Sequence, residues 1–298
     1  MRSKEKRKRL NTKRKLRNYR RTVKNAKRRN KNTKRRIGKK RGGNLKDITM
    51  HMLCWKSPKT VKNTLESYKK GNLLTSVNTT IYFQERDDAC DALAAEYGIE
   101  KVMGTNENLG ILLALLEMIE KTTTPYFMFA ECDFELVEGP QDVSDILGDA
   151  MKLINEKDVK VVRLIDRKKP GHPLYSLNGK NASTKFEKGW PYKLETMHVL
   201  DNPETMFPGD LTVVDGGGFK RKWYICTFVH NIWSNQIFIA PTKFMKETIK
   251  PLLEKSKNAN KYKGVESILT AESSPTGALK DGLIAQGDGL FMHSRLNR

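Results

Sequence analysis

The sequence contains no stretch of about 20 consecutive apolar residues, so no segment is expected to cross a membrane as a helix. Cysteine is scarce. Cys54, Cys90, Cys132 and Cys226 lie far apart, and no Cys-x-x-Cys spacing occurs. That excludes a zinc ribbon or a disulfide-stapled scaffold and leaves reduced thiols, as expected in an intracellular, reducing compartment. Internal repeats are also missing. Acidic residues are almost absent from the first 43 positions, which hold 23 of the 56 Lys and Arg and one of the 34 Asp and Glu, Glu5. Residues 44–298 therefore carry 33 of each sign, and the formal net charge of +22 belongs to the first segment alone.

That segment also lacks apolar side chains. Met1, Leu10, Leu16, Tyr19, Val23, Ala26 and Ile37 are too few to offset chain entropy against mutual repulsion. Residues 1–43 are expected to form a disordered basic arm, and residues 44–298 one α/β domain. No apolar run of about 7–15 residues marks the arm as a secretory signal. Its basic blocks suit non-specific association with anions, either nucleic acid or an acidic membrane surface. One aromatic residue, Tyr19, gives little for base stacking. The expected location is cytoplasmic, with nuclear or membrane-peripheral placement through the arm as the other readings.

The domain alternates strand and helix. Ile48–Trp55 is an apolar run with β-character. Ser57-Pro58 opens a helix, with Ser57 as expected cap and Val61, Leu65 and Tyr68 on its buried face. Thr79–Gln84 is a strand, Asp87-Asp88 start a helix that Gly98 stops, and a short strand follows near Lys101–Met103. Leu109–Ile119 is an apolar helix and Tyr126–Ala130 an apolar strand. Such β-α-β-α-β-α-β order predicts a parallel sheet with helices on both faces, and ligands off the strand carboxyl ends. Further on, the sequence predicts a helix over Asp145–Ile154 and a strand over Val159–Ile165. Residues 168–222 read as loops and short strands. Strands follow over Trp223–Val229 and Gln236–Ala240, then a helix over Pro241–Lys255 interrupted near its end by Pro251. Val265–Thr270 is helical. Asp215-Gly-Gly-Gly218 lacks the Lys-Ser/Thr of a phosphate-binding loop and reads as a hairpin.

The apolar strand ends on Glu131-Cys132-Asp133. Two carboxylates one residue apart at a strand end can face one hard cation, Mg²⁺ or Mn²⁺, together with phosphate oxygens of a substrate. Their order with Asn108-Leu109-Gly110 upstream, and with Gly287-Asp-Gly-Leu-Phe-Met-His293 near the end, resembles the centre of GT-A-type glycosyltransferases, of the family-2-like kind with Glu-x-Asp in place of Asp-x-Asp. The resemblance spans roughly residues 47–298 and excludes the arm. It implies a GT-A-type Rossmann-like mixed sheet and transfer of a sugar from a nucleotide-diphosphate donor to a hydroxyl on a glycan, protein or lipid acceptor. By the same resemblance Asp133, Glu131 and His293 bind Mn²⁺ or Mg²⁺. Glu85, Asn108, Gly110 and Glu131 border the donor, and Trp233 and Asn235 stand on the acceptor side. Glu266 matches the acidic base of inverting members. Where these carry Glu-Asp, this chain carries Glu266-Ser267; Asp210 and Asp215 are the alternative bases. Two other function classes remain beside this one: a nucleic-acid-binding or packaging protein acting through the arm, and a nucleotidyltransferase.

Overall fold

The computed structural model describes residues 43–169, 171–172, 202–231, 233–259 and 264–294. The basic arm, apart from Gly43, lies outside these residues, as does most of the stretch read as loops, including Trp190 and His198.

Strand β1 (Ile48–Trp55) is buried along seven of its eight residues, as an apolar run covered on both faces must be. Helix α1 (Pro58–Lys70) follows with Pro58 in its first turn. Ser57 does not cap it as expected. Its φ of 58° is left-handed and its hydroxyl makes no cap bond, whereas a capping residue needs extended backbone. Strand β2 (Asn78–Gln84) leads into α2 (Asp88–Glu96), which Asp87 does cap, accepting from the Cys90 N–H at 2.9 Å. Then come β3 (Lys101–Thr105), α3 (Gly110–Lys121), β4 (Tyr126–Glu131) and β5 (Phe134–Leu136).

Helix α4 (Pro140–Lys157) starts five residues before the sequence places it. Gly139-Pro140 looks like a turn, yet Pro is tolerated at a first helical position. Next come β6 (Val159–Ile165), β7 (Gly171–His172), β8 (Thr212–Val214) and β9 (Trp223–Thr227). Asp215–Gly218 begins the β8–β9 hairpin, with positive φ at all three glycines. Strand β10 (Phe238–Pro241) runs into a helical stretch from Thr242 to Ala259, whose last part, Lys250–Ala259, is α5. Pro251 does not interrupt its end. A π-helical segment, Met245–Ile249, immediately precedes it. Proline has no N–H to continue the ladder and crowds the preceding turn, and the widened segment accommodates this. Helix α6 (Val265–Glu272) and the long β11 (Leu283–Ser294) follow.

The described strands form one sheet in the order β3-β2-β1-β4-β10-β6-β11-β9-β8, with β5 and β7 pairing the far end of β11. Strands β3, β2, β1 and β4 are mutually parallel, and β11 is parallel to β6. Strand β10 is antiparallel to both β4 and β6, so the sheet is mixed, not wholly parallel. One face buries α1, α2 and α4 through Leu65, Tyr68, Ala94, Ile146 and Leu147. The other buries α3, α5 and α6 through Leu115, Ile119, Leu253 and Leu269. Within the first layer the buried Asp149 carboxylate accepts from the N–H groups of Lys220 and Arg221 and from Trp223 Nε1, fixing the end of the β8–β9 hairpin against α4. Cys54 and Cys226 are buried, Cys90 and Cys132 half-buried, and all four are free thiols. No helix among the described residues is long and apolar enough to cross a membrane.

Candidate active site at the carboxyl edge of the sheet

After β1 the chain moves outward to β2 and β3, then returns to the other side of β1 as β4. The reversal opens a crevice between the carboxyl ends of β1 and β4, where open α/β sheets bind ligands. Trp55, Lys56 and Ser57 stand at the carboxyl end of β1, and Glu131, Cys132 and Asp133 at that of β4.

Glu85 immediately follows β2 on this edge. Trp55 Nε1 donates to its Oε1 at 3.2 Å, and Lys56 Nζ lies 3.4 Å from its Oε2. Lys56, Ser57 and Glu85 all have positive φ, at 55°, 58° and 57°. Each such residue costs on the order of 1 kcal/mol or more, and strain of this kind gathers at binding sites. Asn108 shapes the next connection. Its Oδ1 accepts from the Gly110 N–H at 2.8 Å, and Gln84 Oε1 accepts from the Leu109 N–H at 2.8 Å. Gly110 has a φ of 75°, which favours glycine there.

Asp133 and His293 meet although 160 residues separate them: His293 Nε2 lies 3.1 Å from Asp133 Oδ2. Strand β11 makes this possible. It pairs antiparallel with β5, placing His293 opposite Phe134, whose ring lies 5.0 Å from the imidazole. The Ser294 N–H also donates to the Asp133 carbonyl at 2.7 Å. The two side chains are only 13% and 17% exposed, so solvent screens them weakly. Glu131 ends β4 on the same edge. The expected three-ligand set is not assembled. Among the described residues no three His, Cys, Asp or Glu side chains stand close enough to hold one ion. Asp133 and His293 are brought together.

Glu266 stands in the first turn of α6. Its Oε1 accepts from Ser234 Oγ at 3.0 Å and from the Asn235 N–H at 2.7 Å. The 234–236 segment leads into β10, whose first residue, Phe238, pairs with Phe129 of β4. Trp233 is buried, edge-on to Phe238 with ring centres 5.1 Å apart, and offers no open face for a sugar. Asn235 is buried too, its Oδ1 accepting from Trp233 Nε1 at 3.3 Å. Asp210 pairs with His230, just beyond the end of β9 that lies beside the start of β11, on the opposite edge. Asp215 is exposed in the β8–β9 hairpin.

Sequence reading passed over the end of β6. The buried Asp166 accepts from the N–H groups of Lys168 and Lys169, both at 2.7 Å. Arg167, also buried, lies over the Tyr224 ring and reaches Asp288 of β11 at 3.4 Å. A charged pair directly after an apolar strand was the available signal. A cleft of about 640 Å³, lined by Asn63, Glu66, Lys70, Glu135 and Glu138 among others, opens on the flank of α1. None of the edge residues above lines it.

No protein-family model and no curated protein matches the sequence. Among solved structures, the chain is similar to a mannosyltransferase from Pyrobaculum calidifontis in complex with GDP-Man and Mn²⁺, at 10% identity and a TM-score of 0.44 over 81% of this chain and 56% of that one. It is similar to the 1–349 fragment of TarS from S. aureus, at 14% identity and a TM-score of 0.48 over 83% and 60%. A third similar structure is glucosyl-3-phosphoglycerate synthase from Mycobacterium tuberculosis with Mn²⁺, UDP-glucose and phosphoglyceric acid, at 12% identity and a TM-score of 0.42 over 84% and 72%. The chain covers less than two thirds of the first two. Likenesses this distant assign no chemistry, which has to come from the residues of this chain.

Proposed function

We propose that this chain is a metal-dependent glycosyltransferase that moves a sugar from a nucleotide-diphosphate donor to a hydroxyl acceptor. The observation that carries the reading is the contact of Asp133 with His293 beside the β1–β4 crevice. One carboxylate and one imidazole suit Mn²⁺ or Mg²⁺ when donor phosphates and water complete the shell. A bound cation there would stabilise the negative charge that develops on the diphosphate leaving group.

The chain's own residues have separate tasks. Asp133 and His293 would hold the cation, and Glu131 at the strand end would face the donor ribose or meet the cation through water. Glu85, oriented by Trp55 and Lys56, meets the nucleoside, with Asn108 and Gly110 bordering the same pocket. Glu266 has one oxygen pinned by Ser234 and Asn235, which fixes the carboxylate plane and leaves Oε2 to take the proton of the acceptor hydroxyl. A base so placed suits inversion at the anomeric carbon. Asn235 supports this acceptor side through its N–H, and Trp233 does so from within the core.

The test is a panel of nucleotide sugars with Mn²⁺, read by thermal stabilisation and donor hydrolysis. The matching donor raises Tm, since a ligand that binds only the folded state stabilises it. Asp133→Asn abolishes both signals while its ligand-free Tm stays near that of the parent protein. Full activity in Asp133→Asn would sink the assignment. Pyrophosphate release from a nucleoside triphosphate would replace it with nucleotidyl transfer.

A further inference from the structure

Helix α1 touches the acidic turn through hydroxyl groups. The Glu131–Asp133 turn is pinned at three points. The Cys132 N–H donates to the Leu53 carbonyl at 3.0 Å, and the Ser294 N–H donates to the Asp133 carbonyl at 2.7 Å. The third bond comes from a side chain: Thr64 Oγ1 donates to the Cys132 carbonyl at 2.6 Å. Cys132 lies between the two carboxylates, so the peptide units on both sides of it are held, one through its N–H by β1 and one through its carbonyl by α1. A second hydroxyl continues the clasp. Ser67 Oγ donates to the Thr64 carbonyl at 2.7 Å and accepts from the Leu136 N–H at 2.9 Å. The helix thus grips residues 132 and 136, with Asp133 between them. Thr64 is fully buried, so water cannot replace its hydroxyl.

We propose that Thr64 is a positioning residue that sets the aim of Asp133 toward His293 and the cation through the Cys132 carbonyl; this rests on the reading of that turn as a metal site. Removing the hydroxyl leaves the carbonyl without its side-chain partner and frees the peptide to rotate. Asp133 then loses its preset geometry, and groups that orient metal ligands usually matter about 10- to 100-fold in affinity.

Two substitutions separate the hydroxyl from the methyl. Thr64→Val keeps the shape and loses the donor; Thr64→Ser keeps the donor and loses the methyl. Mn²⁺ affinity, measured by titrating the free-ion electron paramagnetic resonance signal with full-length protein, is expected to fall about tenfold in Thr64→Val. In Thr64→Ser it is expected to stay within about twofold of the parent, even where Tm falls. A packing role would produce the reverse order. The inference is overturned if Thr64→Val binds Mn²⁺ as tightly as the parent, or if Thr64→Ser loses about tenfold. Should Thr64→Val fail to fold, the Thr64→Ser affinity alone decides by the same threshold. No Mn²⁺ binding by the parent protein, either alone or beyond that of the nucleotide when a nucleoside diphosphate is present, would overturn the metal reading itself, before any variant is compared.

Discussion

His51, in the middle of β1, shows how a single buried group writes a pH dependence into the whole fold. Its Nε2 lies 2.8 Å from Thr122 Oγ1, and that hydroxyl already donates to the Met118 carbonyl at 2.7 Å. The hydroxyl must therefore accept from His51, which fixes the proton on Nε2. Nδ1 has no hydrogen-bond partner among the described residues. Protonation would place a charge and an N–H where nothing receives them, and burial, helped by the Lys101 charge, lowers the pKa from 6.5 to about 3. The sign follows from linkage. The unfolded chain takes up the proton near pH 6.5 and the folded chain does not, so this contribution is full above pH 6.5 and is lost as pH falls toward 3. The loss is about 1.4 kcal/mol per pH unit below the unfolded value. Urea unfolding at pH 6.5 and pH 5 is expected to show it as about 2 kcal/mol, and His51→Gln is expected to flatten the slope. Equal slopes in both proteins would remove His51 as the cause.

Elements decide whether distant residues meet. Strand β11 carries His293 to Asp133, but its register on β6 shifts between Gln286 and Phe291. Gly289 sits inside that shift, and a Cβ there would lie 2.2 Å from the Leu164 carbonyl oxygen. Gly289→Ala is expected to lift the carboxyl half of β11 from β6. Stability should fall by at least about 2 kcal/mol in chemical denaturation, as forced overpacking of a core does, and Mn²⁺ binding should fall with it. Retained Mn²⁺ affinity would show that β5 and β7 hold His293 without β6. Periodicity made β1 through β4 and the acidic turn legible, because long apolar runs with clear stops leave few alternatives. His293 was legible only through resemblance, since local pattern did not mark the twelve-residue strand that carries it. The contact distance of the Asp133–His293 pair was not legible, because spacing along a chain does not say which way side chains point.

At the scale of the whole molecule, charge and chemistry are divided along the chain. Residues 44–298 balance 33 basic with 33 acidic side chains, so the entire +22 lies in residues 1–43. Deleting those residues is expected to abolish salt-dependent binding to a polyanion such as heparin or duplex DNA, because counterion release scales with the number of cations engaged. Donor-induced thermal stabilisation should survive the deletion. Undiminished polyanion binding by the deleted protein would move the anion surface onto the α/β domain.

Strand β10 separates β4 from β6 and comes from much later in the sequence. During synthesis, β4 is complete about 100 residues before its second neighbour exists, on the order of 5–20 s at ordinary elongation rates. Through that interval one edge of an apolar strand, Tyr126-Phe-Met-Phe-Ala130, stands open to any other strand. This strand edge is therefore most vulnerable on the ribosome, and a chaperone that shields β4 until β10 arrives is expected to raise yield.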